Sequence, residues 1–344
     1  MAMNKITVIG FTGSGKTTYL VGMYDTMSYG VKNFSLLAKD TDDDFYFHQM
    51  WQNIRSGADR SWPAPSDEKR TYNFSLCYCL EKICDGDFEW IDYPGAAVID
   101  PKYQLLDEIQ RQIASSSCLL VLVNGDSFAF TGNRRSGNLR PIQANNGEDY
   151  KRIVASNLKN NGDLMTIRRL HQMAREGIVI PPVAIVITKR DLIPTEYIEY
   201  ISEIILENFS LIFGEGIQIH RPVIICAVTL GEGIEDGEDA DPDDIEQPIV
   251  YAVLSTLCQR IQRIRSEVST EQGNLSQKDT FWRRIINPQE LARIRANISA
   301  YKSEISRYSE DAIRLLGVFE SGKVIYVNKA QKDIREYFLN LIRG

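Results

Sequence analysis

The chain contains no apolar run near the ~20 residues a membrane-spanning helix needs. Its start enters a strand-like run at residue 6 without the apolar stretch of a secretion signal, so a cytoplasmic location and no transmembrane segment are expected. Histidine is scarce: His48, His171 and His220 are the three present, they form no cluster, and no histidine-based centre is read from them. The six cysteines, at 77, 79, 84, 118, 226 and 258, show neither a C-x-x-C pair nor a histidine at zinc spacing. Several lie inside apolar runs, which describes reduced core thiols. Positive charge is also lacking: the net charge of −7 argues against a nucleic-acid-coating surface. Much of the negative charge sits in 232–246, where nine acidic residues, two glycines and a proline read as a solvated, mobile loop. Such close carboxylates raise calcium binding, but the EF-hand spacing is absent.

The hydrophobic content of 43% over 344 residues is ample for a sizeable core. Strand-like runs at 6–9, 72–80, 88–91, 118–123, 183–188 and 223–227 alternate with helical patterns at 18–27, 150–175, 195–213 and 247–268. This order predicts an α/β fold with a mixed, mostly parallel sheet flanked by helices. Tyr72, Phe74, Leu76, Tyr78 and Leu80 alternate with polar or small residues, and Asp85-Gly86 supplies a turn into an antiparallel partner at 88–91. Two long connections, 28–70 and 126–149, are expected to be functional or disordered loops. Beyond 270, Leu291, Ile294, Ile298, Tyr301, Ile305, Tyr308, Ala312 and Leu315 repeat as an a/d seam. We therefore divide the chain into a domain over 1–270 and a helical hairpin over 271–344. The seam packs on its own domain or pairs with a second copy. The short run 323–327 is a strand or the link to a last helix over 329–342.

Three motifs carry chemistry. Gly10-Phe11-Thr12-Gly13-Ser14-Gly15-Lys16-Thr17 fits G-x-x-x-x-G-K-[ST] between a predicted strand and a predicted helix, the arrangement that cradles phosphates on backbone N–H groups. Lys16 would reach the β and γ phosphates, and the Thr17 hydroxyl would join a Mg²⁺ shell. Asp92 ends the next strand in D-x-x-G, where its carboxylate would hold the ion from the other side and Gly95 would offer an N–H to the γ-phosphate. Thr188-Lys189-Arg190-Asp191 follows a buried run as T-K-x-D. Asp191 can accept from guanine N1–H and the 2-amino group, whereas adenine presents an acceptor at N1, and the stem of Lys189 can lie over the base. Cys226-Ala227-Val228 ends a further run about 35 residues later, where the backbone N–H of Ala227 could meet guanine O6.

In this order the motifs resemble the translation-factor-related class of P-loop GTPases, with a Ras-like domain over about residues 4–270. The resemblance implies GTP or GDP with Mg²⁺ as ligands. It gives Gly10, Gly13, Ser14, Gly15, Lys16, Thr17 and Thr18 to the phosphates and metal, Asp92 and Gly95 to the switch, and Thr188, Lys189, Asp191, Cys226 and Ala227 to the base. Trp62-Pro63-Ala64-Pro65-Ser66 is similar to the W-P-x-P-T switch segment of bacterial double-GTPase families, which implies a protein effector or a second GTPase as partner. Ser66 would then be the switch hydroxyl on Mg²⁺, with Thr71 as the rival. Ala96 stands where Ras-like enzymes place the glutamine that orients water, so slow hydrolysis is expected unless a partner, or an arginine among Arg60, Arg70, Arg134, Arg135 and Arg140, assists. The alternatives are a non-hydrolysing GTP-bound scaffold whose helices oligomerise and a P-loop ATPase.

Overall fold

A computed structural model describes residues 3–56, 62–63, 68–95, 97, 106–133, 138–213, 222–231, 234, 241–281 and 288–344. Strand β1 (Asn4–Gly10) feeds the glycine loop and helix α1 (Lys16–Ser28). Next come β2 (Phe34–Ala38), α2 (Thr41–Arg55), β3 (Arg70–Tyr78) and β4 (Glu81–Asp92). Helix α3 (Leu106–Ser115), strand β5 (Cys118–Asn124), the helical turn α4 (Asp126–Ala129) and the hairpin β6 (Phe130–Asn133) and β7 (Asn138–Pro141) follow. Then come α5 (Gly147–Asn160), α6 (Asp163–Arg175), β8 (Val183–Thr188), α7 (Ile201–Asn208) and β9 (Pro222–Ala227). The C-terminal part holds α8 (Gln247–Phe281), α9 (Pro288–Leu316), β10 (Val324–Val327), β11 (Ala330–Asp333) and α10 (Ile334–Arg343).

The main sheet runs β11-β10-β9-β8-β5-β1-β4-β3-β2. Strands β1, β4, β5, β8 and β9 pair in parallel, while β2, β3, β10 and β11 join in antiparallel registers, which is the mixed sheet the sequence predicts. Period-two alternation divides each central strand between two cores. Ile6, Val8, Leu120 and Leu122 face α1, α2 and α8 to α10, while Ile9, Val121 and Val123 face α3 and α5 to α7. Because β1 has parallel neighbours on both sides, the loop at its end opens at the carboxyl edge where phosphate sites form in such sheets.

Several elements depart from the sequence reading. The connection 28–70 holds β2 and α2: Asp40 caps the helix by accepting from the Asp42 N–H at 2.9 Å, and Phe47, Trp51 and Ile54 bury one face. The connection 126–149 folds into α4 and the β6–β7 hairpin. The helix expected over 150–175 breaks at Gly162, whose φ of 88° is open to glycine. A Cβ there would stand 2.7 Å from the Phe11 ring, so the break lets backbone press on the glycine loop. The helix expected over 195–213 begins as a 3₁₀ segment, Thr195–Tyr200, before α7. Helix α8 crosses residue 270 unbroken, and 323–333 contributes two strands to the sheet ahead of α10. The seam of α9 is used within the chain: Tyr308, Ala312 and Leu315 are buried, with Ile298, Tyr301 and Ile305 packed on the same core.

Candidate nucleotide site

The glycine loop is built as an anion cradle. Gly13 and Gly15 take φ of 81° and 83°, left-handed values that turn the chain tightly into α1. Neighbouring strands grip its carbonyls: Asn124 Nδ2 donates to the Gly13 oxygen at 3.0 Å, and Thr188 Oγ1 donates to the Ser14 oxygen at 3.0 Å. Lys16 is buried with its ammonium on the Gly10 carbonyl at 3.2 Å. Burial lowers its pKa, with the Asp92 charge working in the opposite sense. Its positive charge is thereby poorly solvated, and a phosphate would stabilise it. Thr17 and Thr18 open α1 immediately behind Lys16.

Asp92 ends β4 opposite Arg70 in the register and is 4% exposed. Burial pushes its carboxyl up to about 6, against the pull of the Lys16 and Arg70 charges. Its Oδ1 is buried without a hydrogen-bond partner, an orphaned acceptor that fits a hard cation with oxygen ligands. The residues therefore fit Mg²⁺, which Thr17 and Asp92 would hold and which would neutralise phosphate charge. Three residues on, Gly95 lies against the loop: a Cβ there would stand 2.5 Å from Thr12 N and 2.6 Å from Thr12 Cα. Only a residue without a side chain permits this approach.

Ser66 and Ala96 lie outside the described residues, as do Arg60, Arg134 and Arg135. Thr71 pairs with Ile91, one place before Asp92, so alternation puts it on the face opposite the carboxylate. Arg140 is on the exposed strand β7. Arg70, whose Nη1 donates to the Tyr46 hydroxyl at 3.1 Å, is the described arginine beside Asp92.

At the base end, Thr188 and Lys189 lead out of β8, and Lys189 takes a left-handed φ of 57°. Its ammonium lies 3.1 and 3.3 Å from the two Asp126 oxygens. Asp191 Oδ1 accepts from Thr229 Oγ1 at 2.7 Å. Cys226 and Ala227, expected beside the base, lie within β9. Ala227 pairs with Ile187, and the fully buried Cys226 thiol sits 4.0 Å from Gln247 Oε1 and is pushed up to about 12 by burial. The segment that meets Asp191 begins at Thr229. The sequence reading does not single out Asn124, Asp126 or Thr229, which contact Gly13, Lys189 and Asp191. Asn124-Gly125-Asp126 directly after an apolar run was a usable signal for the first two, while Thr229 had none.

The strand order, with the glycine loop after β1 and Asp92 at the end of the adjacent β4, defines a P-loop fold with a mixed, Ras-like sheet. No family model matches the chain, and no curated protein does. Among solved structures it is similar to bacterial selenocysteine-specific elongation factor EF-Sec at 15% identity and a TM-score of 0.33, over 69% of this chain and 27% of that one. It is similar to the signal recognition particle receptor SRb-GTP/SRX complex from Chaetomium thermophilum at 16% identity and 0.32, over 68% of this chain and 94% of that one. A third is the GTP-bound Ski7 GTPase-like domain of S. cerevisiae, at 13% identity and 0.33, over 65% of this chain and 42% of that one. The chain thus spans about a quarter of the elongation factor's length. At scores this low the fold stands on the topology and the loop geometry. No helix among the described residues is long and apolar enough to cross a membrane.

Proposed function

We propose that the protein is a GTP-binding switch that hydrolyses GTP slowly and signals to a protein partner, an effector or a second GTPase, through nucleotide-dependent segments. The observation that carries this is the tie between the two ends of the site: Thr188 bonds the phosphate loop while Asp191, three residues on, is oriented by Thr229. In this reading Gly10, Gly13, Ser14, Gly15 and Lys16 take the phosphates, and Thr17, Asp92 and Ser66 hold Mg²⁺. Lys189 and Asp191 read guanine, and backbone near Cys226 and Ala227, or the Thr229 turn that follows, meets O6. Residues 1–270 carry the switch, while 271–344 extends it, with β10 and β11 in the main sheet and the α9 seam packed on the same core, so a partner would meet its remaining exposed faces.

Arg70 is the arginine we assign to charge compensation in cis. With alanine at 96 and no glutamine to orient water, the unaided rate should be low. Comparison of GTP, GDP and ATP binding, then of GTP turnover with and without Lys16→Ala, tests the reading. GTP preference with turnover abolished by Lys16→Ala supports it, whereas equal ATP binding contradicts it. Ala96 also favours a second reading, a GTP-bound scaffold, which predicts binding without turnover under every condition.

A further inference from the structure

The acidic segment read from sequence as solvated loop is, over its last part, bound into the base-reading end of the site. Thr229 and Asp243 form an antiparallel bridge, Thr229 N to Asp243 O at 3.3 Å and Asp243 N to Thr229 O at 3.2 Å. The Asp243 carboxylate also pairs with Arg190, the variable residue of T-K-x-D. Gly231, at φ 114°, lies so close that a Cβ there would stand 2.5 Å from Asp241 N. The following residues anchor the strap elsewhere: Asp244 to Lys32 and Lys323, Glu246 to Lys32 at 2.8 Å, and the Ile245 carbonyl to the Tyr19 hydroxyl at 3.0 Å.

Resting on the guanine-nucleotide reading above, we propose that Asp243 is a positioning residue for guanine recognition. It fixes both neighbours of the reading carboxylate. Its backbone holds Thr229, whose hydroxyl occupies Asp191 Oδ1, and its side chain holds Arg190, whose own N–H donates to the Val228 carbonyl at 3.1 Å. With Oδ1 engaged and the chain on both sides pinned, the carboxylate is set in one rotation, able to meet N1–H and the 2-amino group together. Residues 241–246 are then the outer wall of the base site.

The test is a double-mutant cycle on the full chain with Asp243→Ala, Arg190→Ala and the pair, reading affinity for GTP and for ITP, whose base lacks the 2-amino group. Because the Arg190–Asp243 pair is partly exposed, each single variant should weaken GTP binding about two- to fivefold, with the pair no worse than either single. The GTP advantage over ITP should shrink in each variant, and high salt should bring wild type toward them. A brace acting only on stability would lower both affinities equally, and that result, or unchanged GTP affinity, overturns the inference. Wild type with no GTP preference over ATP would instead fail the underlying reading, and this inference with it.

Discussion

Lys16 and Asp92 are both buried and feel each other's charge, which leaves each poorly solvated. Replacing Lys16 with alanine removes charge-assisted bonds to phosphate and should weaken triphosphate binding about 100-fold, as measured by titration with a fluorescent nucleotide. Asp92 gives a pH signature. Its folded pKa, raised to about 6, contributes stability that is present below the ordinary carboxylate value and lost as pH rises through about 6. Relative to Asp92→Asn, the nucleotide-free protein should lose denaturant resistance across that window, while Mg²⁺–GTP affinity gains as the carboxylate ionises. Parallel pH profiles for wild type and Asp92→Asn would refute the assignment. Gly95→Ala would drive a methyl into Thr12 backbone, and overpacking of this kind costs about 1–3 kcal/mol. GTP affinity should fall about tenfold more than GDP affinity in calorimetric titrations if Gly95 meets the γ-phosphate only in the triphosphate state.

At the scale of elements, the β3–β4 hairpin connects the site to the C-terminal helices. One end of β4 is Asp92; near the other, Asp311 of α9 accepts from the Cys84 N–H at 2.8 Å, and Arg260 of α8 pairs with Asp85 at 2.9 Å. Asp311 is 5% exposed and also takes Arg314 at 3.0 Å. Asp311→Ala leaves a part-buried N–H unpaired and should cost about 1–3 kcal/mol in urea unfolding. An unchanged midpoint would show that the contact carries no weight. The motifs and the parallel strands were legible because each is a local pattern: a glycine spacing, an apolar run, a carboxylate at a strand end. Helix α2 falls inside the connection read as loop: its Asp40 cap and the 47, 51, 54 spacing are local signals, but three consecutive aspartates, 42 to 44, look like a solvated segment. Thr229 and Asp243 were not legible. Their roles arise from a bridge between segments that meet only after the sheet forms, and no local periodicity records it.

Across the whole molecule, the sheet gathers the glycine loop, Asp92 and Asp191 at the carboxyl edge of β1, β4 and β8, while α1, α2 and α8 to α10 pack together on one of its faces. This edge is proposed to read guanine. Its most direct test is the affinity of wild type and Asp191→Asn for GTP, ATP and XTP. Wild type should bind GTP at least about 100-fold tighter than ATP. The amide at 191, which can donate to the 2-oxo group of xanthine, should move preference from GTP to XTP. Equal binding of GTP and ATP by wild type, or an unaltered preference in Asp191→Asn, would contradict the proposal.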